Sequence, residues 1–456
     1  MKKILIVLLL CLVLAGCQKT ELMESNTESS GVDPSIFKCP DCNVILITID
    51  SLRVDHVGTY GYKYNTTPNL DKWAENSLVF ENAYSPAPHT IPAFQAIMTG
   101  KPVSNDNRDE IIAFYEKTTF LGKLMQEKGY LTAAITDHGG LGGESPNGSF
   151  SATPIKGFEI FKSYAPESSS RKLTEESINW LRSNKNEKFF LWVHYFGPHY
   201  PYIAVPEYAH MFGFSNNSCG RIYNGMGNNE MNAIRASLTA QELNCIISLY
   251  DARIYNTDKN VGLLLDEIKN LNLTNNSMII IFADHGDEFN EKGRLFHGDS
   301  VYNSLLHVPL IVRNPYQALP SRIDGNIATQ NFFDIISNID SENIEFENEI
   351  FSRKYPFYRT DKYYDFSGDF VGKYSIISGD YKFVYEPGYN VEELFNIKKD
   401  PAEANNIYFS PERSKLKEKL VAWIKDKKAE SSKPSENAIK EQKETEERMK
   451  SLGYLN

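Results

Sequence analysis

At 456 residues the chain exceeds a minimal binding module and has room for two or three domains, or for one large α/β unit. Hydrophobic residues at 41% and charged residues at 23% exclude wholesale disorder. A formal charge of −11 without a basic stripe disfavours DNA or RNA as a partner.

The N-terminus reads as an address. Lys2 and Lys3 precede an apolar run over 4–14, followed by Ala15, Gly16 and Cys17. A charged start, a short apolar stretch and small residues at a cleavage point predict a signal peptide over 1–16, too short to span a bilayer. The Leu14-Ala15-Gly16-Cys17 ending resembles a bacterial lipobox. That resemblance implies lipid on the Cys17 sulfur and an exported lipoprotein, membrane-anchored and facing the periplasm or cell exterior. Residues 17–42 are a polar tether that closes on a C-x-x-C, Cys39 and Cys42. With Cys219 and Cys245 these make an even set, and an oxidising compartment favours disulfides. No second C-x-x-C supports structural zinc, so a Cys39–Cys42 clip at the domain entrance is expected. Cys219 with Cys245 is the other candidate pair.

Further along, short apolar runs over 44–49, 131–136, 189–193, 278–282 and 309–312 fit strands covered on both faces. Helical patterns over 118–128 and 249–271 separate them. This alternation predicts an α/β fold with a doubly wound, mainly parallel sheet, spanning 43–350. Functional groups are then expected at the carboxyl ends of the strands. From 351 to 428 the texture changes. Alternating runs over 374–377 and 381–385, joined by Ser378-Gly379-Asp380, predict a hairpin, and a helix is expected over 414–425. The segment reads as a small C-terminal antiparallel α+β subdomain. Residues 429–456 form a charged tail.

Three strand or helix ends carry chemistry. The run 44–49 ends in Asp50, and the run 278–282 leads through Ala283 to Asp284 and His285. Thr90 opens a helical stretch with Pro92 in its first turn, where backbone N–H groups favour an anion. Asp50, Thr90, Asp284 and His285 are therefore predicted to meet around one metal.

These residues lie in segments that resemble the sulfatase family of the alkaline phosphatase superfamily. The matching stretches include NVILITIDSLRVDHVGTYGY (43–62), HTIPAFQAIMTGKPV (89–103), FFLWVHYFGPHYPY (189–202), IIIFADHGDEF (279–289) and HGDSVYNSLLHVPLIV (297–312). The family's alkaline phosphatase-like fold and its hydrolysis of ester bonds are what this resemblance implies. It also implies His199 as a substrate contact that protonates the leaving oxygen or clamps the transferring group. His297 stands where the family has a substrate lysine, and holds that group or helps activate water. Asp137 and His138 replace a Lys-x-His motif, leaving His138 as a pocket-lining candidate.

Departures from the family pattern shape the expected chemistry. Thr90 occupies the place of the Cys or Ser that matures to formylglycine, Phe94 that of an arginine, and Ser51 that of an aspartate. Threonine cannot become formylglycine. A sulfated threonine also cannot expel sulfate by re-forming an aldehyde, whereas a phosphothreonine suits two-step phosphoryl transfer. The expected activity is thus a metal-dependent hydrolase of phosphate (di)ester, phosphonate or sulfate ester bonds with Thr90 as nucleophile. An imidazole ligand favours zinc, manganese or iron over calcium. One divalent ion is expected. A second of the alkaline phosphatase type is the alternative, with His297 able to supply one ligand, although Asp258 is followed at 262 by glycine rather than histidine. The alternatives are a transferase of phospho-headgroups onto an envelope glycan or lipid, a true sulfatase, and a non-catalytic binding lipoprotein.

Overall fold

The computed structural model describes residues 32–102, 118–142, 155–164, 170–317, 320–341, 344, 349–354 and 372–430. Cys17 and the tail from 431 onward lie outside them. Among the described residues no helix is long and apolar enough to cross a membrane.

The chain forms β1 (Asn43–Ile49), β2 (Leu78–Tyr84), β3 (Leu131–Thr136), β4 (Ile160–Ser163), β5 (Phe189–Tyr195) and β6 (Ser277–Ala283). The short pair β7 (Glu288–Phe289) and β8 (Leu295–Phe296) follows, then β9 (His307–Arg313) and β10 (Ser321–Ala328). Eight of these strands make one sheet in the order β10-β2-β9-β6-β1-β5-β3-β4. Central β1, β5 and β6 are buried along all seven residues, which explains their unbroken apolar sequences. Helices cover both faces, so the predicted doubly wound sheet is the observed one. β9 runs antiparallel to β2 and β6, a direction its apolar sequence does not encode.

Parallel register sets the floor of the site. Ile49 pairs with Tyr195 on one side and Ala283 on the other, so the residues that follow all three strands emerge on one edge. The predicted helix over 249–271 is longer than its apolar pattern, running Ala240–Asn270. Its start is fixed by a reciprocal cap: the Thr239 side chain accepts the Glu242 N–H, and Glu242 accepts the Thr239 N–H. Cys245 on this helix is bonded to Cys219, and Cys39 to Cys42.

A second sheet follows: β11 (Ile350–Lys354), β12 (Lys373–Ser378), β13 (Tyr381–Glu386) and β14 (Val391–Asn396), all antiparallel. Ser378 pairs with Tyr381 across Gly379-Asp380, the predicted hairpin, with Gly379 at φ 57°. The helix Glu412–Glu430 lays Leu416, Leu420 and Ile424, spaced at i, i+4 and i+8, on Phe351, Ile376, Phe383 and Leu394. The opposite face packs Ile377, Val384 and Phe395 against Tyr84 of β2 and against Tyr302 and Leu306 of the short helical turn before β9. Beside that seam the buried Lys382 ammonium lies 2.8 Å from Glu403 and donates to Asn303 Oδ1 at 2.8 Å.

Candidate active site

The carboxyl edge gathers residues from five segments. Asp50 follows β1, and its backbone N–H donates to Tyr195 O at 2.8 Å. Ser51 takes a left-handed conformation, φ 55°, held because Tyr250 donates its hydroxyl to Ser51 O at 2.6 Å. The bend turns the Ser51 N–H towards Asp284 Oδ1 at 3.2 Å and the Ser51 hydroxyl towards Asp50 Oδ1 at 2.9 Å. Ser51, standing where the family has an aspartate, thus orients Asp50.

Thr90 is the first residue of the helix Thr90–Thr99, with His89 rather than Thr90 as its N-cap. Its Oγ1 lies 3.4 Å from Asp50 Oδ2 and 3.1 Å from His285 Nε2. His285 Nε2 lies 3.7 Å from Asp50 Oδ1 and 3.5 Å from Asp284 Oδ2. Asp50, Thr90, Asp284 and His285 all lie buried, so the structure brings these four together.

This cluster fits a divalent cation. One oxygen or nitrogen each from Asp50, Asp284 and His285 lies within 4.8 Å of the others. His285 Nδ1 is 2.9 Å from Gly286 O, to which it donates, so Nε2 faces the carboxylates with a bare lone pair. Asp284 Oδ2 is buried and has no hydrogen-bond partner among the described residues. Two donors each about 2.1 Å from one ion stand at most about 4.2 Å apart, and the 3.1–3.7 Å separations fall inside that limit. Burial raises the Asp50 carboxyl from 3.8 to about 7. Burial and then the Asp50 charge push Asp284 well above the carboxylate range. Burial also keeps the His285 ring neutral, as a ligand must be.

More imidazoles ring the opening. His297 donates Nδ1–H to Asp287 Oδ1 at 2.6 Å, and Tyr202 donates its hydroxyl to Asp287 Oδ2 at 2.8 Å. Burial works against charge on His297, but Asp287, with Asp50 and Asp284 behind it, outweighs burial and holds the ring above its ordinary value. His199 donates Nδ1–H to Tyr200 O, and its ring centroid is 4.8 Å from that of His297. Burial keeps His199 well below its ordinary range. His138 accepts the Gly140 N–H on Nδ1 at 3.1 Å, so its proton sits on Nε2, 4.0 Å from Asp50 Oδ2. The structure therefore places all three substrate candidates, His138, His199 and His297, at the same pocket.

Sequence reasoning missed Asp287, Tyr202 and His89. Asp287 lies two residues beyond His285, and His89, which directly precedes Thr90, has the rings of His285 and His297 as neighbours. His194 reads as a satisfied core residue from its apolar strand. Its Nε2 instead has no hydrogen-bond partner among the described residues and lies 3.5 Å from Asp50 Oδ2. Asp258 sits elsewhere, accepting the Asn69 and Leu70 N–H groups at the start of the helix Pro68–Ala74. It is no part of a second metal position.

Known proteins share this frame. A sulfatase of Formosa agariphila is 24% identical over 438 residues, covering 82% of this chain and 85% of that protein. An N-acetylglucosamine-6-O-sulfatase of Bacteroides thetaiotaomicron is 23% identical over 489 residues, 84% and 86% of the two chains. The solved phosphonate monoester hydrolase of Agrobacterium radiobacter shares the fold with a TM-score of 0.63 and 16% identity, over 86% of this chain and 96% of that one. Fold, pocket and relatives together define an ester hydrolase of the alkaline phosphatase-like superfamily. The family model described as Sulfatase matches residues 42–339, and the chain belongs to that family.

Proposed function

We propose that the protein hydrolyses singly charged phosphorus esters, a phosphodiester or a phosphonate monoester, through Thr90 and a divalent transition metal. The observation that carries this reading is the Thr90 hydroxyl at 3.1 Å from His285 Nε2 and 3.4 Å from Asp50 Oδ2. A cation held by Asp50, Asp284 and His285 supplies polarisation of the transferring group and a lowered pKa for the Thr90 hydroxyl. Thr90 Oγ1, its proton released to solvent, then forms the bond to phosphorus as the bond to the leaving oxygen breaks. His297, kept charged by Asp287, gives the leaving oxygen its proton. His138 Nε2–H donates to a non-bridging oxygen. Water cleaves the resulting Thr90 ester, with His297, by then neutral, taking the proton.

Charge supports the choice of substrate. Asp50 and Asp284 neutralise a divalent ion, leaving His297 as the positive group facing substrate. Asp287 balances that charge, so ion and side chains sum to zero, and a site without net positive charge suits a monoanionic group better than a dianionic phosphate monoester. The names of the relatives favour a second reading, hydrolysis of a sulfate ester on a glycan. The missing aldehyde precursor at Thr90 argues against it. The Leu14-Ala15-Gly16-Cys17 pattern supports an envelope location, on a lipid anchor at Cys17, with a glycan or lipid ester as substrate.

The test is a panel of 4-nitrophenyl phosphate monoester, phosphodiester, phosphonate and sulfate, with added manganese or zinc. Diester or phosphonate turnover should lead, vanish with chelator, and fall at least about 10³-fold in Thr90→Ala. Sulfate turnover above both phosphorus substrates, or a Thr90→Ala enzyme close to wild type, would overturn the proposal.

A further inference from the structure

His194 takes no part in the steps above, yet it lies at full burial against Asp50. Trp192 and His194 stand two residues apart on β5 and share one face of the sheet. Thr48 belongs to the neighbouring β1, in register with His194. The Trp192 indole N–H can only donate, and Nε1 lies 2.9 Å from Thr48 Oγ1. The hydroxyl therefore accepts from the indole and keeps its own hydrogen to give. Its takers are His194 Nδ1 at 2.9 Å and Val193 O at 3.5 Å. The ring nitrogen is much the closer, and a hydroxyl hydrogen given to it leaves Nδ1 as the acceptor and the proton of the neutral ring on Nε2. That N–H faces Asp50 Oδ2 at 3.5 Å, an electrostatic contact longer than a formed hydrogen bond.

Phe94 locks the ring in this attitude, its ring edge-to-face with His194 at 4.8 Å and tilted on Trp192 at 4.8 Å. The opposite tautomer serves His285, which donates Nδ1–H to Gly286 O and turns a bare Nε2 to the cluster. His285 and His194 thus face the Asp50 carboxylate with complementary hydrogen placement, one shaped to ligate and one to donate, while His138 Nε2 stands farther off at 4.0 Å.

We infer that Trp192, Thr48 and His194 form a one-directional hydrogen-bond chain whose last proton positions the Asp50 carboxylate for cation binding. His194 is then a positioning residue, and the inference rests on the metal-dependent reading above. Partners that orient a ligating side chain typically change metal affinity by 10–100-fold when removed.

Manganese affinity, read by competition with a chelating dye, tests the chain in the full-length protein. Thr48→Val and His194→Phe, each close in shape to the residue replaced, should weaken Mn²⁺ binding about 10–100-fold. Thr48→Ser, which keeps the hydroxyl, should restore most of the loss. Wild-type affinity in folded Thr48→Val and His194→Phe would overturn the inference. A second measurement needs no variant: ring ¹⁵N NMR of labelled wild type should show the His194 proton on Nε2, and a proton on Nδ1 would overturn the chain. If wild type takes up neither Mn²⁺ nor Zn²⁺, the metal-dependent reading fails and this inference falls with it. Tight binding in wild type with unaffected variants sinks the inference alone.

Discussion

Asp284→Asn should make the metal-free protein more stable while removing its response to metal. Asp50 and Asp284 offer oxygens within 4.8 Å of each other, both fully buried. Two unit charges at that distance repel by about 3 kcal/mol at an effective dielectric constant of about 20. Burial adds a separate cost on Asp50 itself. Moving a carboxyl from 3.8 to about 7 corresponds to a ceiling of about 4 kcal/mol, each tenfold in proton affinity being about 1.4 kcal/mol. The sign follows from linkage: the fold binds this proton more tightly than the unfolded chain does. The destabilisation is therefore absent below the ordinary 3.8, grows as pH rises, and is complete above about 7. An asparagine at 284 keeps an oxygen for the Ser51 and His285 N–H groups. Its amide nitrogen replaces the partnerless Oδ2 and can donate to His285 Nε2, 3.5 Å away. The variant should gain about 2–3 kcal/mol over wild type in chelator at neutral pH. With manganese or zinc at a hundred times its dissociation constant, wild type should recover about 2.7 kcal/mol and the variant nothing. Urea unfolding with and without chelator measures both. A metal-free variant no more stable than wild type, or equal stabilisation of both by metal, would refute the reasoning.

Two further outcomes concern the scaffold. Lys382→Met should destabilise by about 3–5 kcal/mol in urea unfolding, because it strands the buried Glu403 carboxylate at the seam between the sheets. Adding Glu403→Leu should recover much of that loss, and a double variant as unstable as the single one would count against the pairing argument. Replacing Cys219 and Cys245 by serine opens a bridge over 26 residues, worth about 3.5 kcal/mol by loop entropy. Urea midpoints together with faster proteolysis of the segment between them should report it, and unchanged values of both would contradict it.

How far the sequence reached depended on whether a property was local. Burial on both faces leaves a one-dimensional trace, so β1, β5 and β6 were legible as unbroken apolar runs. So was the Ser378–Tyr381 hairpin, because a glycine-containing turn between alternating residues is a local signal. The helix start at Ala240 was not, because a capping box among polar residues carries no apolar period. The direction of β9 was also hidden, since an apolar run reads the same whichever way it is laid in the sheet.

At the site the same division holds. Residue type and strand ends pointed to Asp50, Thr90, Asp284 and His285, because an acid directly after a buried strand has little choice of position. Hydrogen placement came only from the folded chain. Whether an imidazole ligates or donates depends on what its other nitrogen meets: Gly286 O for His285, the Gly140 N–H for His138, Asp287 for His297, and Thr48 for His194. Those partners come from different strands and loops, so the four histidines are identical as letters. Tertiary packing made them chemically distinct by committing one nitrogen of each ring to a different partner.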